Sequence, residues 1–238
     1  MIKRIWKTST ILKTLGLIFI EVLFLLLRWF WLSSYTEGYD DLFSWIRFAV
    51  LDPGVFSLVN ITSLLTISSV LGNQLHERLS ENRLEILTRK GIARSLLSES
   101  AVLVIKVLCL EVLLTAGTVI LSLVSGKELP VIRWEVYLPL QGAAIGISIF
   151  HILLMDMLRC VTTSEISMMV MGFLLVLEMG LSYAGITWIP LFSVSYDLVL
   201  KSGWNVSGAL PSCFFILWAE MIAGWVVWAG IRSRSDLL

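Results

Sequence analysis

Long apolar runs alternate with short polar connections along the whole chain, and the runs have the length a bilayer requires. A hydrocarbon core of about 30 Å takes about 20 helical residues at a rise of about 1.5 Å each. Six windows of that order stand out: Leu15 to Ser33, Gly54 to Leu75, Ala101 to Ser125, Val136 to Leu158, Ile166 to Ile189 and Ala209 to Ile231. The pattern predicts an all-α integral membrane protein with six transmembrane helices. Residues 1–238 then form a single transmembrane domain whose connections are too short for a folded extramembrane unit. Ahead of the first window, Ile2, Ile5, Trp6 and Leu12 share a helical stripe flanked by Lys3, Arg4, Lys7 and Lys13. This fits an N-terminal amphipathic helix lying in the membrane plane, or an ordinary basic flank. The run from Leu15 to Leu32 exceeds the ~7–15 residues of a signal-peptide core and no small-x-small site follows it, so we read it as a retained helix.

Composition agrees with the pattern and removes several function classes. Of 238 residues, 57% are hydrophobic and 15% charged, well below the ~25% charged of soluble domains, and the mean hydropathy is +0.87. Lys and Arg total 18, as do Asp and Glu, so no basic excess is present for nucleic acid to use. Cys109, Cys160 and Cys213 are scattered in apolar surroundings with no CxxC; they read as small hydrophobes, with neither a disulfide framework nor a metal site indicated. No GxxxxGK[ST] occurs, so this chain holds no nucleotide through a P-loop.

Basic residues set the orientation. One set of connections carries Lys3, Arg4, Lys7, Lys13, Arg78, Arg83, Arg89, Lys90, Arg94, Arg159, Arg232 and Arg234, and the opposite set carries Arg47, Lys127, Arg133 and Lys201. The positive-inside rule therefore expects both termini in the cytoplasm of a multi-pass protein of the cell membrane.

The one long cytoplasmic connection, residues 76–100, reads HERLSENRLEILTRKGIARSLLSES. Mixed charges recur at helical spacing opposite an apolar side of Leu75, Leu79, Leu84 and Leu87. Arg89 and Lys90 then suit the negative end of a helix dipole, and Gly91 suits a turn needing positive φ. From Ile92 a second helix enters the membrane.

This segment resembles the coupling region of ABC-type-2 transporter permeases. The resemblance lies in Glu77-Arg78, Leu84-Glu85-Ile86-Leu87, the turn at Lys90-Gly91, and then Arg94 and Lys106, together with the outline of an amphipathic N-terminus, six spans and a longer external segment before the last. Asn82-Arg83 stands where the family commonly has Gly-Thr, and Gly91 where it has proline. The resemblance implies that Glu77, Arg78, Arg83, Glu85, Arg89, Lys90, Gly91 and Arg94 dock on a cytoplasmic ABC ATPase, in two copies. ATP and Mg are held by that partner and no cofactor by this chain, which pairs with a second permease, same or different. The implied function is subunit of an ATP-driven exporter of a peptide or amphipathic substrate, of the bacteriocin, lantibiotic or antibiotic export and immunity type, in a bacterial cytoplasmic membrane. It would have no catalytic activity of its own. A solvated surface helix is the plain alternative for the same charges.

Charges inside spans cost about 2.5–3.5 kcal/mol each on insertion scales and normally face protein or water. Here they are Glu21, Arg28, Lys106, Glu111, Glu178 and Glu220. Arg28 and Lys106 are within reach of an interface and are expected to snorkel. Glu178 and Glu220 lie near mid-span, where they line a path or interface, or form hydrogen bonds between helices; Glu21 and Glu111 are placed to pair with basic residues. Ser148 and His151 share a helical face and raise an intramembrane hydrolase, although Gly146-Ile147-Ser148-Ile149 lacks the second glycine of GxSG. His76 and His151 formally allow a bis-histidine haem. Gly142 and Gly146 form a GxxxG contact motif. The segment from Ile186 to Gly208 is apolar enough to dip back into the bilayer, and the resemblance implies a re-entrant hairpin there. A non-transporting accessory or scaffold subunit is the remaining reading.

Overall fold

The computed structural model describes residues 8–35, 56–81, 91–124, 134–184 and 206–235. They form six helices with no strand among them: α1 (Thr8–Tyr35), α2 (Ser57–Glu81), α3 (Ile92–Val124), α4 (Trp134–Val161), α5 (Ser164–Tyr183) and α6 (Val206–Ser235). The first five contain stretches long and apolar enough to cross a membrane, Thr10–Leu32, Ser57–Glu81, Ala93–Val124, Gln141–Val161 and Ser164–Leu181. The described residues are thus all-helical, with the helices of a membrane-spanning protein. Residues 1–7, which carry most of the expected amphipathic stripe, lie outside the described residues, as do 82–90 and 185–205.

Inside-out polarity follows from the solvent. Phe19, Phe30, Val112, Met169 and Phe173 are exposed on the outer faces, where lipid tails are as apolar as the side chains themselves. Packing and interhelical hydrogen bonds, rather than escape from water, therefore hold such helices together. The interior mixes Trp29, Leu71, Val107, Ile152 and Trp228 with an unusual set of buried polar groups.

Helix α4 is the hub. It packs most extensively on α2 and α6 and also meets α3 and α5, while α1 lies against α2 and α3. The α2–α4 approach depends on Gly72. A Cβ there would fall 2.8 and 2.9 Å from Met155 Cγ and Cβ and 3.2 Å from the Ile152 carbonyl oxygen, against the ~3.5–4.0 Å of an ordinary carbon contact.

Two boundaries differ from the hydropathy windows for the same reason. Helix α2 continues past Leu75 to Glu81, and α3 begins at Ile92, where the second helix is expected, ahead of the apolar window that opens at Ala101, because a helix keeps its backbone hydrogen bonds through polar turns that lie beyond the apolar run. Gly91, one residue before α3, takes φ of 71°, a conformation that strains residues with a Cβ.

Candidate functional site

Three polar centres occupy the bundle, and each arises because a polar residue recurs in the buried stripe of a helix. On α1 the buried stripe Leu17, Glu21, Leu25, Arg28 and Leu32 places Glu21 and Arg28 two turns apart on one face, about 10 Å along the axis. On α2 the stripe of Asn60, Ser63, Ile67 and Leu71 faces it. Ser63 Oγ donates to Glu21 Oε2 at 2.7 Å, and Arg28 Nη2 donates to Asn60 Oδ1 at 2.8 Å. From α3, Glu111 accepts a 3.0 Å hydrogen bond from Gln141 Nε2 of α4. Glu21, Arg28, Asn60, Ser63, Glu111 and Ser148 converge around a cavity of about 20 Å³, room for a single water molecule. Glu21 Oε1 is buried with no hydrogen-bond partner among the described residues. Four helices thus bring opposite charges to one point inside the apolar layer.

Expected site residues separate accordingly. Glu21 and Glu111 meet at this cavity. Arg28 does not snorkel: it is 2% exposed and bonded to Asn60, because interior acceptors on α2 offer its guanidinium partners nearer than the interface. Ser148 lines the same cavity.

The second centre is the contact between α4 and α5. His151 is fully buried, its Nδ1 lying 2.8 Å from the Ile147 carbonyl oxygen and its Nε2 3.0 Å from Glu178 Oε2. A carbonyl only accepts, so Nδ1 donates. One further proton lies between Nε2 and Oε2, and the pair is neutral overall whichever atom carries it. Glu178 is therefore placed in a helix contact, and the ring nitrogens of His151 face Ile147 and Glu178. The Glu220 side chain lies outside the described residues.

The third centre joins α2, α4 and α6 at the ends that carry Glu81, Val161 and Ser235. Asp156 is fully buried. Its Oδ1 lies 3.0 Å from His76 Nδ1, and its Oδ2 accepts from Trp228 Nε1 at 2.7 Å and lies 3.9 Å from Arg232 Nε. Arg232 also donates to Cys160 Sγ at 2.9 Å, to the His76 carbonyl at 3.3 Å and to Ser80 Oγ at 3.4 Å. Cys160 is thus an acceptor for a cation, not a small hydrophobe in an apolar setting. His76, Asp156 and Cys160 each offer a ligand atom within 4.8 Å of the others. The guanidinium of Arg232 already supplies the positive charge those groups face, which argues against a metal ion among them.

Around the expected coupling segment, Arg78 Nη1 donates to Glu99 Oε2 at 3.1 Å with both side chains largely buried, joining α2 to α3. The Lys13–Glu77 pair at 3.2 Å is half-exposed and worth little. Gly91 and Arg94 are exposed. Arg83, Glu85, Arg89 and Lys90 lie outside the described residues. Lys106 does not reach outward either: its Nζ donates to Gln74 Oε1 at 2.6 Å, because an amide on the facing helix is within its reach.

Asn60, Ser63, Gln141 and the whole Asp156 centre escaped the sequence reading. Asp156 carried a visible signal, an acid inside an apolar window. The neutral amides and hydroxyls carried none, since such residues occur throughout spans. Comparison with protein-family models, with curated proteins and with solved structures returned no match for this chain.

Proposed function

We propose that this chain is the membrane-spanning permease subunit of an ATP-driven ABC exporter, with six spans, the last within α6, and cytoplasmic termini. A separate ATPase docks at residues 77–94, a second permease completes the assembly, and a peptide or amphipathic molecule crosses the cytoplasmic membrane. The observation that carries this reading is the course of α2. One unbroken helix runs from Asn60 and Ser63 at the buried charged cavity to Glu77 and Arg78 beside the candidate docking segment, about 25 Å away at helical rise.

A helix bonded at both ends moves as a unit. Its C-terminal end is tied to α3 by Arg78–Glu99 and to α6 through Arg232. Its N-terminal half holds Glu21 through Ser63 and Arg28 through Asn60. Closure of two ATPase domains against residues 77–94 would shift α2 and so break or remake buried charged contacts. Such an element is bistable because an unpaired charge in the apolar layer is costly.

ATP hydrolysis by the purified complex in nanodiscs tests this. Arg78→Glu should lower substrate-stimulated hydrolysis several-fold, and adding Glu99→Arg should restore it. Unchanged stimulation in Arg78→Glu contradicts the lever. Under the hydrolase reading only Ser148→Ala or His151→Ala would abolish activity, and the scaffold reading expects no stimulation at all.

A further inference from the structure

We infer that the crevice between α1 and α3 binds an anionic glycerophospholipid of the surrounding bilayer, its phosphate on Lys106 and one acyl chain along Leu17, Leu110 and Leu113. The crevice has a volume of about 470 Å³, within the ~300–1,000 Å³ of small-molecule sites. Leu71 of α2 forms part of its floor with Leu17 and Leu110, all buried, whereas Ile105, Cys109 and Leu113 on its rim are exposed to the membrane side. It extends from Thr10 to Ile18 on α1 and from Val102 to Leu113 on α3, about 12 and 16 Å. That shape admits a chain rather than a compact molecule.

Its polarity is graded. Polar groups stand toward the N-terminal ends of the two helices and apolar ones deeper. Lys106 Nζ donates to Gln74 Oε1, Gln74 Nε2 donates to Thr14 Oγ1 at 3.2 Å, and Thr14 Oγ1 donates to the Thr10 carbonyl at 2.9 Å. Every bond in this relay runs away from Lys106, so the relay fixes the ammonium in place without neutralising it. The neighbouring charges cancel one another, Lys13 with Glu77 and Arg78 with Glu99. Among the described residues no carboxylate lies within 4.0 Å of Lys106. Among the described residues Lys106 is thus a cation at an apolar crevice with no carboxylate in contact with it, which selects an amphiphile with an anionic head, a class the membrane supplies at the highest local concentration. The inference does not rest on the transport reading.

Native mass spectrometry of the protein extracted from nanodiscs of equal phosphatidylglycerol and phosphatidylcholine tests it. One phosphatidylglycerol per chain should be retained with a preference of about fivefold or more, the factor a single Lys contact to an anionic lipid provides. Lys106→Gln should abolish the preference and Lys106→Arg preserve it. Cys109→Trp, which fills the crevice with Lys106 in place, should lose the lipid. Equal retention of the two lipids, an unchanged preference in Lys106→Gln, displacement of the lipid by millimolar inorganic phosphate, or a lipid-free dimer would each overturn the assignment. The last would give the crevice to a second copy of the chain.

Discussion

Replacing Asp156 by Leu should be among the most destabilising single changes in the bundle, and the size of the effect follows from its partners. The carboxylate lies 3.9 Å from Arg232 Nε, an attraction of about 4 kcal/mol at an effective dielectric near 20. It also accepts from Trp228, and interhelical hydrogen bonds in membranes average ~0.6 kcal/mol with a maximum near ~1.7. Without Asp156, Arg232, which is 3% exposed, loses the carboxylate it faces and keeps the neutral acceptors Cys160, Ser80 and the His76 carbonyl. Breaking one side of such a pair costs about 3–5 kcal/mol. Removing both charges should cost far less, because the penalty belongs to the stranded cation. The double variant Asp156→Leu/Arg232→Met should therefore lose only about 1–2 kcal/mol, less than either single change, which makes the coupling in the mutant cycle about 3 kcal/mol or more. Reversible unfolding in mixed micelles, followed by far-UV circular dichroism, reads these values. Additive losses, with coupling below ~0.5 kcal/mol, would refute the view that Asp156 acts by neutralising Arg232.

Other contacts give sharper contrasts. Gly72→Leu should prevent α2 and α4 from closing, reducing monodisperse protein in gel filtration, whereas Gly16→Leu, where a Cβ meets nothing within 4 Å, should behave as the parent. Glu178→Gln keeps a neutral hydrogen bond to His151 and should cost under ~1 kcal/mol; Glu178→Leu removes the carboxylate that His151 Nε2 faces and should cost about 1–3 kcal/mol, measured by the same unfolding. Equal effects of the two would exclude the shared-proton pair. Arg28→Met leaves Glu21 and Glu111 facing one another without their cation and should be worse than Arg28→Met/Glu21→Gln, which retains only one carboxylate; thermal unfolding in detergent separates them, and equal midpoints would show that Arg28 does not serve Glu21.

The helices were legible in the sequence because a bilayer imposes a length on apolar runs, and the five candidate spans overlap the first five windows from Leu15 through Ile189 closely. What escaped was the part decided by neighbours. Glu21 and Glu111 were visible as charges out of place, but nothing along the chain says that Ser63 reaches one and Gln141 the other. Depth alone makes Arg28 a snorkelling residue; Asn60, 32 positions away, decides its direction. Cys160 looked apolar because its sequence neighbours are, while its partner Arg232 comes from another helix. Periodicity reports which face of a helix is buried and is silent on which helix covers it.

Docking of an ATPase beside α2 can be read from recovery of a tagged chain out of its native membrane in mild detergent. A stoichiometric P-loop ATPase should be among the co-purified proteins, identified by mass spectrometry and lost when charge is reversed together at Arg83, Glu85 and Arg94. A folded chain recovered alone, with no ATP hydrolysis following it, would rule out the docked ATPase and with it the permease reading.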